Sequence, residues 1–310
     1  MSGHDDAWSE RRKQWLHYLD GVVQAVGAGR SIPLGPSVHP LIAPPAPPNG
    51  REAAAKVVFC APHPDDESIS GALALRAHLD SGAEVTNVAI TLGSDASQRA
   101  RRLRELECAC RALDFKLVVP FAPSGFDRVQ MENWKDEPKE WSVKVEALRQ
   151  IFDHENPDAV LVPHAQDFNT THVATHSLVI EALGAHIEKQ DRGPVLLIET
   201  EFWHQIERPN LMLGLAPELV ARQLVAIGEH GEEMARNPYH LLHPCRLMDN
   251  VRRGSEVVGG QGGPARHFTF AELYNVAFME RHEVRPAKPG GCIIDPATQL
   301  ELRWLASQFR

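Results

Sequence analysis

The sequence predicts an α/β protein: a Rossmann-like, mostly parallel sheet with helices on both faces, an N-terminal helical extension and an irregular C-terminal part. Two observations carry this. Between residues 56 and 202, short apolar runs alternate with stretches of helical spacing. The runs also lack the polar alternation of a half-exposed strand, as strands buried on both faces do.

Residues 6–27 read as an amphipathic helix, with Trp8, Trp15, Leu19, Val22 and Val26 on one stripe and Gly27 and Gly29 ending it. Packing against its own domain is the expected use of that stripe. Seven prolines between Ile32 and Gly50 then make an extended connector, so residues 1–50 form an appendage and 51–310 the main domain. Val57–Ala61 is a buried strand stopped by Pro62. Ile69, Leu73, Leu75 and Leu79 give a helix over 68–79 that closes at Gly82. Strands over 85–92 and 116–121 bracket a helix over 99–113. The segment 122–137, with Pro123, Gly125 and four acidic residues, is expected as a long loop. A helix over 139–154, a strand over 158–163, a helix over 172–186 and a strand over 194–202 complete the alternation. Beyond 205 the pattern weakens. Residues 217–235 and 268–279 read as helical, 259–263 as a glycine loop, and Leu211, Leu213 and Leu215 alternate like an exposed edge strand that could lie at an interface.

The 310 residues are 43% hydrophobic and 24% charged, ordinary for a globular chain, and no apolar run approaches a membrane span. An acidic N-terminus where a secretory signal would be basic gives a cytoplasmic expectation. With 32 basic against 41 acidic residues, the net charge of −9 argues against a nucleic-acid partner. Five cysteines without a Cys-x-x-Cys indicate neither a disulfide framework nor a zinc ribbon. The composition leaves room for a homo-oligomer without specifying one.

Chemistry concentrates at two places. His63–Pro64–Asp65–Asp66–Glu67 follows the first strand, and His164 to His172 follows the fourth. Right-handed crossovers bring both loops to the carboxyl edge of the sheet, where open α/β folds build their sites. His63 and Asp66 are close enough to grip one ion, and His172 can supply a third ligand. Two imidazoles and a carboxylate leave a coordination position open to water, the mark of a catalytic rather than a structural zinc. Asp65 points away from Asp66 and can take a proton from that water. The competing reading is that Asp–Asp–Glu merely caps a helix and complements its dipole. No Gly-x-Gly-x-x-Gly follows the first strand, and acidic residues there would repel a pyrophosphate.

At these residues the chain resembles the LmbE-like (PIG-L) zinc-dependent de-N-acetylases: Ala61–Pro62–His63–Pro64–Asp65–Asp66–Glu67 paired with Asp167–x–Asn169–x–x–His172, over about residues 56–205. The resemblance implies removal of an acetyl group from an N-acetylglucosamine conjugate. His63, Asp66 and His172 would hold Zn2+, with Fe2+ as an alternative, and Asp65 would be the general base. Glu67 would support the site electrostatically. Arg102 would contact the sugar, although an Arg102–Glu105 pair on a solvated helix face explains it equally. One departure stands out. The family's histidine three residues before the last ligand is Asn169 here, which can donate to an oxyanion but cannot deliver a proton. His176, one turn after His172, and His164 are candidates to replace it. An amidase for a larger acyl group and a non-catalytic binder of a sugar conjugate are the alternative functions, and loops 122–137 and 259–263 are expected to shape the pocket.

Overall fold

Helix α1 (Ser2–Arg30) opens the chain and β1 (Lys56–Ala61) is its first strand, in a computed structural model that describes residues 2–36, 54–264 and 266–310. Helices α2 (Asp66–Ile69) and α3 (Ala72–Ser81) follow, then β2 (Glu84–Ala89), α4 (Arg99–Leu113) and β3 (Lys116–Val118). Next come α5 (Met131–Asp136), α6 (Pro138–Glu155), β4 (Ala159–Pro163), α7 (Thr170–Gln190) and β5 (Val195–Thr200). The C-terminal part holds β6 (Leu211–Leu215), α8 (Pro217–Glu229), α9 (Gly231–Arg236), α10 (Tyr239–Val257) and β7 (Phe270–Glu280). It ends with β8 (Glu283–Pro286), β9 (Cys292–Ile294) and α11 (Leu302–Phe309). Local chemistry sets several boundaries. Pro138 and Pro217 begin α6 and α8, where a missing N–H is harmless. Asp114, Asn156 and Asp191 take the left-handed conformation that ends α4, α6 and α7.

The strands form one sheet in the order β3-β2-β1-β4-β5-β7-β6-β9, with β8 paired to β7. The first five are parallel, as the alternation predicts. Because β1 lies directly beside β4, with Val57 opposite Ala159, the loops that follow them emerge as neighbours. Alternate residues of β1 feed two cores. Val57 and Phe59 pack with Leu73 and Leu106 of α3 and α4 on one face, while Val58 and Cys60 pack with Leu148 and Leu178 of α6 and α7 on the other. Burial pushes the Cys60 thiol far up, as suits an inert core cysteine.

Three expectations are corrected here. Residues 268–279 are not helical: β7 inserts between β5 and β6 and pairs antiparallel with both. Its residues alternate between cores, Tyr274, Val276 and Phe278 on one face and Ala271 and Leu273 on the other. With both faces apolar, period-two polarity vanishes and a strand of this length resembles a buried helix. β6 is no exposed edge, since Leu211, Leu213 and Leu215 are buried between β7 and β9. Helix α1 does not bury its stripe on the domain: Trp15, Leu19 and Val22 are exposed. Its end lies with Gly29 against Leu241, and just beyond it the Gly35 N–H donates to the Gly228 carbonyl. Trp8's side chain and residues 37–53 of the connector lie outside the described residues.

A buried guanidinium helps tie the C-terminal strands to the parallel half of the sheet. Arg76 on α3 donates to the carbonyls of Gly214 (2.7 Å), Asp295 (2.7 Å) and Pro296 (3.2 Å), and pairs with Asp80 at 3.1 Å. Arg76→Met is expected to lower the free energy of unfolding by about 3 kcal/mol, because one buried and two part-buried carbonyls lose their donor together. A urea titration should show the loss as a lower midpoint at unchanged slope.

Candidate metal centre and active site

The first site loop owes its shape to proline and to side-chain hydrogen bonds. Pro62 ends β1, its carbonyl accepting from the Thr91 N–H (3.2 Å) and hydroxyl (2.7 Å). The His63 N–H then donates to Asp66 Oδ2 at 2.9 Å, curling the chain so that both side chains face the same point. The second loop is a pair of local turns. Asp167 Oδ1 accepts from the Asn169 N–H, and Asn169 Oδ1 accepts from the Thr171 N–H, capping α7. His172 thereby sits in the first turn of α7 and is almost wholly buried.

Among the described residues one cluster can hold a metal ion: His63, Asp66 and His172. His63 Nδ1 and His172 Nε2 are 3.3 Å apart, and Asp66 Oδ2 lies 3.5 Å from the first and 3.4 Å from the second. Donors held at about 2.0–2.1 Å in a tetrahedron stand about 3.3–3.4 Å from one another, so this triangle fits three ligands of a zinc-sized ion. The electrostatics agree. Although burial opposes ionisation, His172 and His63 hold the Asp66 carboxyl far below the usual range. Burial likewise opposes charge on His172, yet Asp66 and Asp167 raise it to about 10. An environment that draws a proton so strongly draws a cation too. Asp167 Oδ2 lies 3.5 Å from His172 Nδ1, the carboxylate-behind-histidine arrangement that orients metal-binding imidazoles.

Asp65 is not one of the three. It is buried, and its backbone adopts φ 125°, ψ −26°, a region that costs a non-glycine residue about 1–3 kcal/mol. Burial, and then Asp66, push the Asp65 carboxyl well above its ordinary value against the pull of Arg102.

A cavity of about 570 Å³ opens at this point, and His63, Asp65, Asp66, Arg102 and Asn169 all line it. Arg102 does not pair with Glu105, which is held by Arg101 instead. Its guanidinium enters the cavity beneath Gly93, where a Cβ would stand 2.2 Å from Nη1. His176 is not brought to the cavity: it bonds Glu199 at 3.0 Å, and Glu199 accepts from Asn275. His164 is likewise engaged elsewhere, with the His204 carbonyl at 2.9 Å. Of the two loops expected to shape the pocket, 122–137 contributes Phe126 to Gln130, and 259–263 contributes nothing. Segment 122–137 is not all loop, since it includes α5.

Several lining residues escaped sequence reasoning. Phe202 and Trp203 follow β5, and Glu233, Arg236 and Tyr239 come from α9 and the start of α10. Phe202 stacks on the His172 ring and touches Tyr239 edge-on, so an aromatic wall runs outward from the candidate metal centre to Trp203. Only the adjacent aromatic pair Phe202–Trp203 at a strand's carboxyl end hinted at this.

A family profile described as PIG-L, GlcNAc-PI de-N-acetylase, matches residues 58–183. No curated protein matches the chain. Among solved structures, the chain is similar to the N,N'-diacetylchitobiose deacetylase of Pyrococcus horikoshii, at 19% identity, TM-score 0.53, 72% of this chain and 84% of that one. It is similar to the 4-carboxy-2-hydroxymuconate hydratase of Pseudomonas putida at 18% identity and TM-score 0.54, over 72% of this chain and 95% of that one. The A40926 pseudoaglycone deacetylase aligns at 15% identity and TM-score 0.52, over 74% and 99%. At such identities the shared property is the fold, which hosts a hydratase as well as deacetylases; activity must be argued from the site.

Proposed function

We propose that the protein, whose residues 58–183 match the PIG-L family profile, is a metal-dependent hydrolase that removes an N-acetyl group from an amino-sugar conjugate. The observation that carries the reading is the His63–Asp66–His172 triangle with a separate, buried carboxylate beside it on the same cavity. A site for ion storage needs no second carboxylate of raised basicity beside its ligands. An acetamido substrate is in keeping with the PIG-L profile match and with the two deacetylases among the similar structures.

When bound, a divalent metal, Zn2+ or alternatively Fe2+, supplies Lewis acidity: it makes water easier to deprotonate and polarises a carbonyl. The chain's own residues supply the rest. Asp65 accepts the proton of the attacking water and passes it to the departing nitrogen as the C–N bond breaks, giving acetate and a free amine. Asn169 spends its Oδ1 on the Thr171 N–H, so its Nδ2 is what it can offer to the developing oxyanion. The Arg102 guanidinium, close enough to influence Asp65, serves as a donor to sugar hydroxyls. Trp203, 47% exposed on the cavity rim, offers a flat apolar surface to a sugar ring.

The test is release of acetate from an N-acetylglucosamine derivative by zinc-loaded protein, compared with an analogue carrying a larger acyl group. Acetate release that stops on chelation is expected. Turnover of the larger amide alone would favour the amidase reading, and metal-loaded protein that binds the sugar without cleaving either would favour a binder. Trp203→Ala should raise KM about five- to tenfold with kcat little changed, since an aromatic contact is worth about 1–1.5 kcal/mol and acts equally on bound substrate and transition state.

A further inference from the structure

Asp65 keeps a backbone conformation suited to glycine, and something must hold it there. Its carbonyl accepts from the N–H groups of Ser68 and Ile69 at 3.0 Å, as any helix start would arrange. Its N–H is held differently, donating to Glu67 Oε2 at 3.0 Å. The Glu67 side chain is fully buried, and its other oxygen takes the Ser68 hydroxyl at 2.6 Å and His230 Nε2 at 2.9 Å. His230 is 163 residues away in the chain, at the turn between α8 and α9, and lies outside the matched region 58–183.

The His230 ring has little freedom to leave. The backbone N–H of His230 donates to the Ile227 carbonyl and its backbone carbonyl accepts from the Met234 N–H, while Ile227 and Met234 pack on Ile69 of α2. Ser68 belongs to the same short helix as Glu67, so among the described hydrogen bonds to the Glu67 carboxylate His230 supplies the one from a distant part of the chain. α9 also carries Glu233 and Arg236 on the cavity wall, so the same turn sets that wall against the catalytic loop.

We propose that His230 is a positioning residue for Asp65: its bond to Glu67 holds the twisted turn that aims the Asp65 carboxyl into the cavity. The kinetic part rests on the hydrolase reading above; the structural part does not. In metal-loaded enzyme, His230→Leu removes the donor at similar volume. It is expected to keep its metal and a KM within about twofold, while kcat falls about 10–100-fold, the scale of a displaced catalytic group. His230→Gln, whose amide can still donate, should recover most of that loss. A uniform loss of kcat in both variants, or wild-type kcat in His230→Leu, overturns the proposal. Should His230→Leu fail to fold, His230→Asn, polar but too short to reach Glu67, takes its place with the same expected loss and the same overturning result. Crystal structures decide the matter without turnover, even if the protein hydrolyses nothing. Asp65 should leave its positive φ in His230→Leu or His230→Asn and keep it in His230→Gln; an unmoved Asp65 in the donor-lacking variant sinks the idea.

Discussion

Asp65→Asn is expected to retain full metal content and to lower turnover of an N-acetylated amino sugar by about 10²–10⁴-fold, the contribution of a positioned general base. The residue stands outside the His63–Asp66–His172 triangle, so its loss leaves the ligands in place. Its raised proton affinity comes first from burial and next from Asp66, conditions that make a carboxylate a better base at neutral pH. Asp65→Gly separates chemistry from strain. Glycine accepts φ 125° without penalty, so this variant should be as inactive as Asp65→Asn yet melt no lower than wild type. Metal analysis, acetate release and a thermal melt check the three statements, and wild-type turnover in Asp65→Asn would remove the base assignment.

His172→Ala is expected to lose metal and activity together. His172 is 1% exposed and supplies one corner of the triangle, and its removal also leaves Asp66 and Asp167 facing each other without the ring between them. A metal that binds only the folded chain stabilises it, by about 2.7 kcal/mol at a free concentration a hundred times Kd. Added zinc should therefore raise the melting temperature of the wild type and not of His172→Ala, and a chelator should reverse the shift. Asp167→Asn should fold and bind zinc about 10–100-fold more weakly, as loss of a carboxylate behind a metal-binding histidine does. Identical melting of wild type with and without zinc would dismiss the metal centre.

Much of the site was legible because its residues lie in two short stretches. His63 to Glu67 and Asp167 to His172 each follow a strand with clear apolar signal, and right-handed parallel connections put both loops at one edge of the sheet; that β1 and β4 are neighbours is seen only in the fold. Arg102 was ambiguous on sequence grounds, since an Arg102–Glu105 spacing and a cavity-facing guanidinium look the same in one dimension. The preceding residue, Arg101, captures Glu105 and frees Arg102. His176 shares the helical face of His172, but Glu199 on β5 claims it, a partner that no spacing within α7 could reveal.

The C-terminal half resisted reading for a different reason. β7 and β6 are interior strands whose both faces are apolar, and periodicity identifies an element only when its two faces meet different surroundings. By itself the amino-acid order determined the parallel half of the sheet, the two loops at its carboxyl edge and the candidate donors His63, Asp66 and His172, because each is a local pattern or a consequence of chain handedness. Only the folded chain decided which side chains answer one another across it: Asp167 behind His172, Tyr239 and Trp203 beside Phe202, His230 beneath Glu67. Those pairings are set by packing between segments far apart along the backbone, and local pattern carries no record of distance in space.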